Sequence, residues 1–264
     1  MQTHPATKSN TPWEPLRRYL ARNSARIFYR HSQALRLQQP IVSFTFDDFP
    51  RTALLGGGAI LCRHGFAGTY YVALGLLGKD SPSGEIAGPA DLRDALAQGH
   101  ELGCHTFAHL DSWKTDAGVF EDSLVQNAER LSELVPEARF RSFSYPLASP
   151  SPSVKRASAR HFESCRSGGQ IINAGATDLN QLAAYFLEQA KGDHAAIKTI
   201  IEQNRRERGW LIFATHDVAP DPSRYGCTPQ FFEAAVAAAE QSGARVLTVA
   251  AALDEIRAGK GARN

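Results

Sequence analysis

The sequence predicts an α/β fold built on a parallel sheet, and three observations lead to this class. Apolar runs of strand length alternate with helix-like segments along most of the chain, as in successive βαβ units. The clearest run, Ile41–Phe46, lacks the strict polar alternation of a strand with one solvated face, which favours a strand buried on both faces; Trp210–Thr215 is a second apolar run. No internal repeat, linker or shift in composition divides residues 40–258. We therefore expect one α/β domain over this range.

The composition excludes several classes of protein. The chain has 264 residues, of which 43% are hydrophobic and 21% charged, as in ordinary globular domains. A net charge of +2 gives no strong overall field toward nucleic acid, and no apolar run reaches the ~20 residues of a membrane span. The four cysteines are far apart and include no CxxC pair, so we expect reduced thiols at Cys62, Cys104, Cys165 and Cys227.

Both ends of the chain are expected to lie outside this domain. Residues 1–12 are polar and predicted to be disordered, and residues 259–264 form a short tail. Residues 13–39 combine many arginines with leucines and an isoleucine at the spacing of a basic amphipathic helix. Such a helix either packs on the domain with a solvated basic face, or binds a partner or an interface. The N-terminus has no apolar signal segment, from which we expect a cytoplasmic protein.

The other elements follow from local patterns. Further strands are predicted at residues 69–74, 100–105, 140–145, 162–165 and 245–249, and the first of these is rich in β-branched and aromatic residues. Helices are predicted where apolar residues recur at helical spacing between caps and glycines, at residues 52–64, 89–98, 117–135, 153–160, 193–208, 229–241 and 251–258. Residues 75–88 and 167–180 are predicted loops, and residues 182–187 fit a strand or a helix. The triple glycine at 56–58 matches no phosphate-loop motif and indicates close packing or a bend.

Several of the predicted strands end in chemically reactive side chains. At or just beyond their C-terminal ends lie Asp47, Asp48, His105, His109, Tyr145 and His216. In a barrel or an open α/β sheet, the C-terminal ends of the strands form the edge that carries the active site. We therefore expect these side chains to meet in one site. Glu101 begins the strand that leads to His105, and we expect it to be an exposed carboxylate.

Three of these side chains predict a metal site. His105 and His109 are four residues apart, which places both imidazoles on one face if the segment forms a helical turn. Asp48 is the natural third ligand, since a cation would offset the cost of burying a carboxylate at a strand end. Two histidines and one carboxylate with open positions suit zinc, with cobalt, nickel or manganese as alternatives.

Asp47 and His216 are the candidate proton-transfer groups. Adjacent strand residues point to opposite faces, so the chain must twist or break at the strand end for Asp47 and Asp48 to share a site. With Asp48 on the metal, Asp47 is free to take a proton from water that the metal activates. His216 is a candidate general acid for a leaving amine, and Asp178 or Asp217 could be the carboxylate behind it.

Taken together, the motifs resemble those of polysaccharide deacetylases of the NodB-homology type, carbohydrate esterase family 4. The likeness runs from about residue 41 to residue 249 and rests on Thr45-Phe46-Asp47-Asp48, His105-Thr106-Phe107-Ala108-His109, Phe143-Ser144-Tyr145-Pro146 and Thr215-His216. The resemblance implies a distorted (β/α) barrel and metal-dependent removal of an N-acetyl group. The roles it implies are Asp47 as base, His216 as acid, Asp48, His105 and His109 as metal ligands, the backbone N–H of Leu147 as oxyanion donor, and Tyr145 and Pro146 beside the substrate.

Three features depart from the pattern of that family. Ser144 stands where the family often has an arginine that orients the base, and Arg141 or Arg166 could take over this task. Leu147 and Ala148 replace the Tyr-Gly pair that commonly follows the proline. The sequence has no Asp-Trp motif to supply the partner of the acid, and Asp178 is the nearest polar substitute.

The favoured function is a metal-dependent hydrolase that removes an N-acetyl or other N-acyl group from an amino sugar or an oligo- or polysaccharide. One alternative is an intracellular amidase or deformylase of the same fold, with a small molecule or a lipid- or nucleotide-linked sugar as substrate. Another is a non-catalytic barrel that binds glycan or protein. Five costly polar groups on one rim argue against an inert barrel. The expected partner is an N-acylated carbohydrate, and the sequence leaves the oligomeric state open.

Overall fold

The computed structural model describes residues 24–261, and a curled parallel sheet lies at its centre. In chain order the strands are β1 (Ser32–Ala34), β2 (Ile41–Phe46), β3 (Thr69–Val72), β4 (Asp80–Ser81), β5 (Gly84–Glu85), β6 (Glu101–Cys104), β7 (Ser142–Ser144), β8 (Ser164–Arg166), β9 (Ala176–Asp178), β10 (Tyr185–Phe186), β11 (Trp210–Thr215) and β12 (Arg245–Val246). The sheet runs in the order β10-β11-β2-β3-β6-β7-β8 with every pair parallel, and β12 adds to β2. This is the predicted α/β class, in the form of a distorted (β/α) barrel.

Helices connect the strands. A π-helical turn (Ala53–Gly58) leads into α1 (Ala59–Arg63), followed by α2 (Pro89–Ala97), α3 (Ala117–Leu134), α4 (Pro152–Ser158), α5 (His194–Glu207), α6 (Pro229–Gln241) and α7 (Val249–Gly261). Short 3₁₀ turns occupy Leu74–Leu76, Pro146–Ala148 and Leu187–Ala190. Side chains accept hydrogen bonds from the first free N–H groups of α3, α4, α5 and α6, and the caps are Asp116, Ser151, Asp193 and Thr228.

Strand β2 is buried along its whole length, and its two faces differ in chemistry. One face contributes Val42, Phe44 and Phe46 to the largest hydrophobic cluster, which joins the sheet to α5 and α6. The other face carries Ser43 and Thr45, whose hydroxyls are paired with the Trp210 indole and the Phe213 carbonyl. Because side chains alternate along a strand, Asp47 continues this second, polar face at the strand end.

The triple glycine has the packing role that the sequence indicated. The π-helical turn lies so close to the strand ends that a Cβ on Gly57 would meet the Phe46 ring at 2.6 Å. A Cβ on Gly56 would meet the Val218 carbonyl oxygen at 2.3 Å. Only glycine allows this approach, and the turn therefore closes tightly behind the strand end that delivers Asp47 and Asp48.

Several local predictions differ from the structure, and the predicted loop 75–88 contains the short strands β4 and β5. Within the segment predicted as a basic helix, residues 32–34 form β1, because β9 offers them an antiparallel partner 140 or more positions away. That partner strand lies inside the predicted loop 167–180. Residues 182–187, which the sequence left open between strand and helix, contain β10 and the first residue of a 3₁₀ turn. Helix α7 continues to Gly261, past the predicted boundary at 258. Residues 1–23, which include the predicted disordered segment, lie outside the described residues.

Glu101 is also different from the expectation. It lies at the amino end of β6, where its carboxylate accepts hydrogen bonds from Thr69 Oγ1 at 2.8 Å, Ser142 Oγ at 2.6 Å and the Ala250 amide at 2.8 Å. Burial raises the pKa of this carboxyl. Glu101 therefore fastens the start of α7 to the sheet at the end opposite the predicted site.

Two predictions about the whole chain can be compared with the structure. The four cysteines are free, three of them buried and Cys62 exposed. Between residues 24 and 261, no helix combines the length and the apolar character that crossing a bilayer requires. The expected cytoplasmic location stays a prediction.

Candidate active site

The structure brings the predicted side chains to one edge of the sheet. Asp47 and Asp48 follow β2, His105 and His109 follow β6, and His216 follows β11. Asp48 and Phe49 both have left-handed backbones, with φ of 61° and 60°. This break in the strand is the one that the sequence required, and it lets two consecutive carboxylates face a single site.

Asp48, His105 and His109 form a compact group. The Asp48 Oδ1 atom lies 3.6 Å from Nε2 of His105 and 3.3 Å from Nε2 of His109. Their ligand atoms lie within 4.8 Å of one another, and this is the one such group found among residues 24–261. The three residues predicted as metal ligands are therefore adjacent in space.

The chemistry of these atoms fits a divalent cation. Nδ1 of His105 lies 2.8 Å from the Ser144 carbonyl oxygen, so this nitrogen carries the proton and Nε2 presents a lone pair to Asp48. Burial lowers the pKa of His105 to about 4, which favours the neutral imidazole. Asp48 Oδ1 is buried and has no hydrogen-bond partner. A lone pair that faces an unpaired carboxylate oxygen calls for a cation between them.

His105 and His109 do not lie on a helix, and this part of the prediction was wrong. Thr106 and His109 have left-handed backbones, with φ of 59° and 51°, and the segment is an irregular turn. The turn is fixed by the Leu110 amide, which donates to Thr106 Oγ1 at 3.0 Å. A strained turn of this kind needs support from its surroundings and is typical of functional sites.

Asp47 is held by Arg166. The Arg166 guanidinium, 1% exposed, donates to Asp47 and also to Ser144 Oγ at 2.6 Å. It stacks on the rings of Tyr71 and Phe186, whose centroids are 5.0 and 5.6 Å away. Burial by itself would raise the pKa of Asp47, but the charges of Arg166, His105 and His216 hold it at about 2. Asp47 is consequently ionised at neutral pH.

The sequence left open whether Arg141 or Arg166 would occupy this place. The Arg141 guanidinium instead binds Glu163 at 2.7 Å and Asp254 at 2.6 Å, so Arg141 was the wrong candidate. Ser144 on β7 is the register partner of Arg166 on β8. The guanidinium thus comes from the neighbouring strand, beside the position where the resembling family often has its own arginine.

His216 lies across the group from the two other histidines. Its Nε2 is 4.0 Å from Asp48 Oδ2, and its Nδ1 is 3.3 Å from the Tyr225 carbonyl oxygen. The Tyr225 ring also packs against the imidazole, with centroids 5.2 Å apart. A backbone carbonyl and a ring therefore orient His216, where the sequence predicted a carboxylate.

Neither of the two carboxylates predicted as partners of His216 pairs with it. Asp178 accepts hydrogen bonds from Lys155 Nζ at 2.5 Å and from the amides of His31 and Asn180. Asp217 accepts from the amide and hydroxyl of Ser223. Both acids fix loops, and these predictions were wrong because strand-end position does not reveal which backbone groups need an acceptor.

Tyr145 and Pro146 are buried, which contradicts their assignment as substrate contacts. The Tyr145 hydroxyl donates to the Asn180 carbonyl at 3.0 Å, and its ring packs on Phe143. Leu147 follows with a left-handed backbone, φ 58°, and an exposed side chain. Its role as oxyanion donor stays a prediction.

The loop that carries Leu147 is fixed by the segment after His109. Ser112 Oγ donates to the Ser149 carbonyl at 2.7 Å, and the Trp113 indole donates to the same oxygen at 3.0 Å. The Ser151 amide donates to Ser112 Oγ at 3.1 Å. The turn that bears the candidate metal ligands and the loop after β7 are therefore one hydrogen-bonded unit.

One acid near the site was missed by the sequence analysis. Glu188 lies in the 3₁₀ turn after β10, and its Oε2 atom is buried without a hydrogen-bond partner. Burial raises the pKa of Glu188 to about 8, and the negative charges of Asp47 and Asp217 add to this effect. Its position after a strand in the ambiguous segment 182–187 was the signal that could have revealed it.

The fold and this arrangement of acids and histidines define a class, the barrel hydrolases with a candidate metal centre. A family model described as polysaccharide deacetylase matches residues 35–162. Over these residues, just under half of the chain, the sequence is similar to polysaccharide deacetylases, the family that its motifs resemble. The match supports the expected hydrolase of non-peptide carbon–nitrogen bonds. A search of curated proteins finds no match to the chain.

Solved structures share the fold at low sequence identity. The carbohydrate esterase 4 domain of a xylanase from a Trinervitermes trinervoides hindgut metagenome is 16% identical, with a TM-score of 0.59 over 85% of this chain and 92% of that one. A Colletotrichum lindemuthianum chitin deacetylase is 16% identical, with a TM-score of 0.57 over 81% and 88%. A Bacillus anthracis pseudoenzyme of this family is 12% identical, with a TM-score of 0.59 over 83% and 67%. Activity must therefore be argued from the site.

Proposed function

We propose that this protein removes the N-acetyl group of an amino sugar within an oligo- or polysaccharide, with a divalent metal ion, zinc foremost, as cofactor. One observation carries the proposal. An unpaired oxygen of Asp48 faces the Nε2 atoms of two imidazoles, directly beside a buried aspartate that is kept ionised. Cation-binding atoms next to an ionised acid are what hydrolysis of an amide needs.

Each side chain of the site has a distinct task in this proposal. A divalent ion held by Asp48, His105 and His109 would supply Lewis acidity toward the amide oxygen and the attacking water. Asp47 accepts the proton of that water, and Arg166 fixes the orientation of its carboxylate. His216 donates a proton from Nε2 to the leaving amine, while Nδ1–H stays on the Tyr225 carbonyl. The Leu147 amide stabilises the oxyanion.

The direct test is hydrolysis of acetylated chitooligosaccharides, with acetate release measured in the presence and absence of zinc or cobalt. We expect activity that is lost with a chelator and restored by metal. Asp47→Asn should abolish turnover while the metal content stays unchanged, and Asp48→Asn should lose the metal. Asp254→Asn, at an exposed carboxylate, is the control. Full turnover by Asp47→Asn would exclude Asp47 as the base.

The size of the substrate needs a separate experiment. The same chemistry would serve an amidase or deformylase that acts on a small molecule or on a lipid- or nucleotide-linked sugar. A panel that contains chitooligosaccharides, N-acetylglucosamine, a nucleotide-linked N-acetyl sugar and formamides distinguishes these cases by kcat/KM. We expect the oligosaccharides to be preferred, and a higher kcat/KM on a small amide would contradict the proposed substrate class.

A further inference from the structure

The positive charge of this chain is concentrated at one end. The first 46 residues contain seven lysines and arginines but a single acid, Glu14, whereas the whole chain has 29 basic and 27 acidic residues. The modest overall charge of +2 therefore conceals a strongly basic N-terminal part and an acidic remainder. Such an asymmetry indicates interaction with an anionic surface or polymer.

The described part of this basic segment exposes consecutive apolar side chains. Ile27 is 68% exposed, Phe28 57% and Tyr29 46%, and exposed arginines flank them at positions 26 and 30. The Arg156 guanidinium lies 5.6 Å from the centre of the Tyr29 ring and adds a cation to this patch. We call residues 26–30, together with Arg156, the arginine-apolar patch.

The domain holds the backbone of this patch in place. Lys155 Nζ, fully buried, donates to the Ala25 carbonyl at 2.6 Å. The Asn180 side-chain Nδ2 donates to the Tyr29 carbonyl at 2.7 Å, and the His31 backbone N–H donates to Asp178 at 2.9 Å. Tyr29 itself has a left-handed backbone, φ 54°. The fold thus anchors the main chain on both sides of Ile27 and Phe28 while their side chains point outward.

Exposed aliphatic and aromatic side chains cost free energy in water, so their presentation by an anchored backbone indicates a partner. The flanking arginines make no ion pair with any of residues 24–261, so no described carboxylate neutralises them. This combination suits the interface of a bilayer. Apolar side chains can enter the boundary between headgroups and acyl chains, and arginines can bind anionic headgroups. A soluble polyanion would satisfy the arginines alone.

We propose that the arginine-apolar patch docks this protein on the surface of a bilayer that contains anionic lipids. The side chains of Ile27, Phe28 and Tyr29 insert into the bilayer interface. Arg26, Arg30 and Arg156 bind the phosphates of the headgroups. This docking is peripheral, and no helix between residues 24 and 261 is long and apolar enough to span the bilayer. This inference does not depend on the proposed deacetylase function.

The test is co-sedimentation of the full chain with vesicles of phosphatidylcholine alone and of phosphatidylcholine mixed with phosphatidylglycerol. We expect binding to the anionic vesicles only, with an affinity that falls as salt is added. Arg26→Gln with Arg30→Gln should weaken it about thirtyfold, at about 1 kcal/mol for each arginine near the surface. Ile27→Ser with Phe28→Ser should weaken it at least tenfold.

Matched controls exclude trivial causes. Val119→Ser changes an exposed apolar residue on α3, and Arg139→Gln removes an exposed arginine elsewhere; both should bind vesicles like the wild type. Thermal unfolding should show that the patch variants stay folded. No binding to anionic vesicles, or binding that survives both patch variants, would overturn the inference. The inference would also be overturned, in favour of a polymer ligand, if the protein bound a soluble polyanion as tightly as the vesicles and Ile27→Ser with Phe28→Ser did not weaken that binding.

Discussion

The ion pair between Asp47 and Arg166 should behave as a buried, strongly coupled unit. Arg166 is 1% exposed, and Asp47 is buried with it. Removal of one partner of such a pair costs about 3–5 kcal/mol, because the other charge stays buried without compensation. Removal of both charges avoids this cost. We therefore expect Arg166→Met and Asp47→Asn each to lower the free energy of unfolding, and the double variant to recover much of the loss.

The assay is a double-mutant cycle from urea unfolding, performed with a chelator so that metal binding does not contribute. The coupling energy should be about 3 kcal/mol or more. The control cycle uses Arg141 and Glu163, both partly exposed, where we expect about 1 kcal/mol or less. Additive effects of Arg166→Met and Asp47→Asn would refute the argument that Arg166 compensates the charge of Asp47.

The pH dependence gives a second readout of the same pair. In the wild type the pKa of Asp47 is lowered from 3.8 to about 2, so its stabilising contribution is complete above pH 3.8 and is lost as the pH falls through 2. Without Arg166, burial raises this pKa, and protonation then relieves the buried charge. The stability of Arg166→Met should therefore approach that of the wild type as the pH falls from 7 to 4. A constant gap would contradict this reasoning.

Three further variants test other parts of the structure. Glu188→Gln should raise the free energy of unfolding at pH 8 and leave it unchanged near pH 4. The reason is that a carboxyl whose pKa rises from 4.5 to about 8 on folding destabilises the fold as the pH rises through this window. An equal change in the free energy of unfolding at both pH values would exclude a buried neutral acid. Trp113→Phe removes the indole donor to Ser149 in the loop that carries Leu147. If the Leu147 amide is the oxyanion donor, as proposed, this variant should lower kcat about tenfold with KM within twofold; an unchanged kcat would separate this loop from catalysis. Lys155→Met should cost about 3–5 kcal/mol in urea unfolding because Asp178 stays buried and loses its cation, and a loss below that of Lys198→Met would contradict it.

The location of the site followed from the sequence because it depends on a property of all parallel sheets. Strands of one direction end at one edge, so Asp48, His105 and His216 had to meet wherever the intervening segments fold. The break after Phe46 was also foreseeable, since two carboxylates of one strand cannot otherwise share a site. The geometry of His105 and His109 was not, because the spacing of a helical turn and of an irregular turn with left-handed residues is the same.

Long-range pairing explains most of the errors. Residues 32–34 look helical within their own neighbourhood, and only β9, far along the chain, makes them a strand. The sequence suggested that Asp178 is an acid free to serve the site, but its carboxylate accepts hydrogen bonds from Lys155 and from two backbone amides. The sequence suggested that Tyr145 contacts the substrate, but its side chain is buried and its hydroxyl donates to the Asn180 carbonyl. Local propensity carries no information about these partners.

The orientation of Asp47 shows how strand register can replace a sequence motif. A motif search reads one strand at a time, and at position 144 it finds a serine where the resembling family often has an arginine. In the sheet, Ser144 and Arg166 stand side by side, so the guanidinium reaches Asp47 from β8 while the serine hydroxyl accepts one of its N–H groups. The small serine leaves the space that the incoming arginine fills. An apparent loss at one motif position is therefore compensated one strand away, and the charge beside Asp47 is retained.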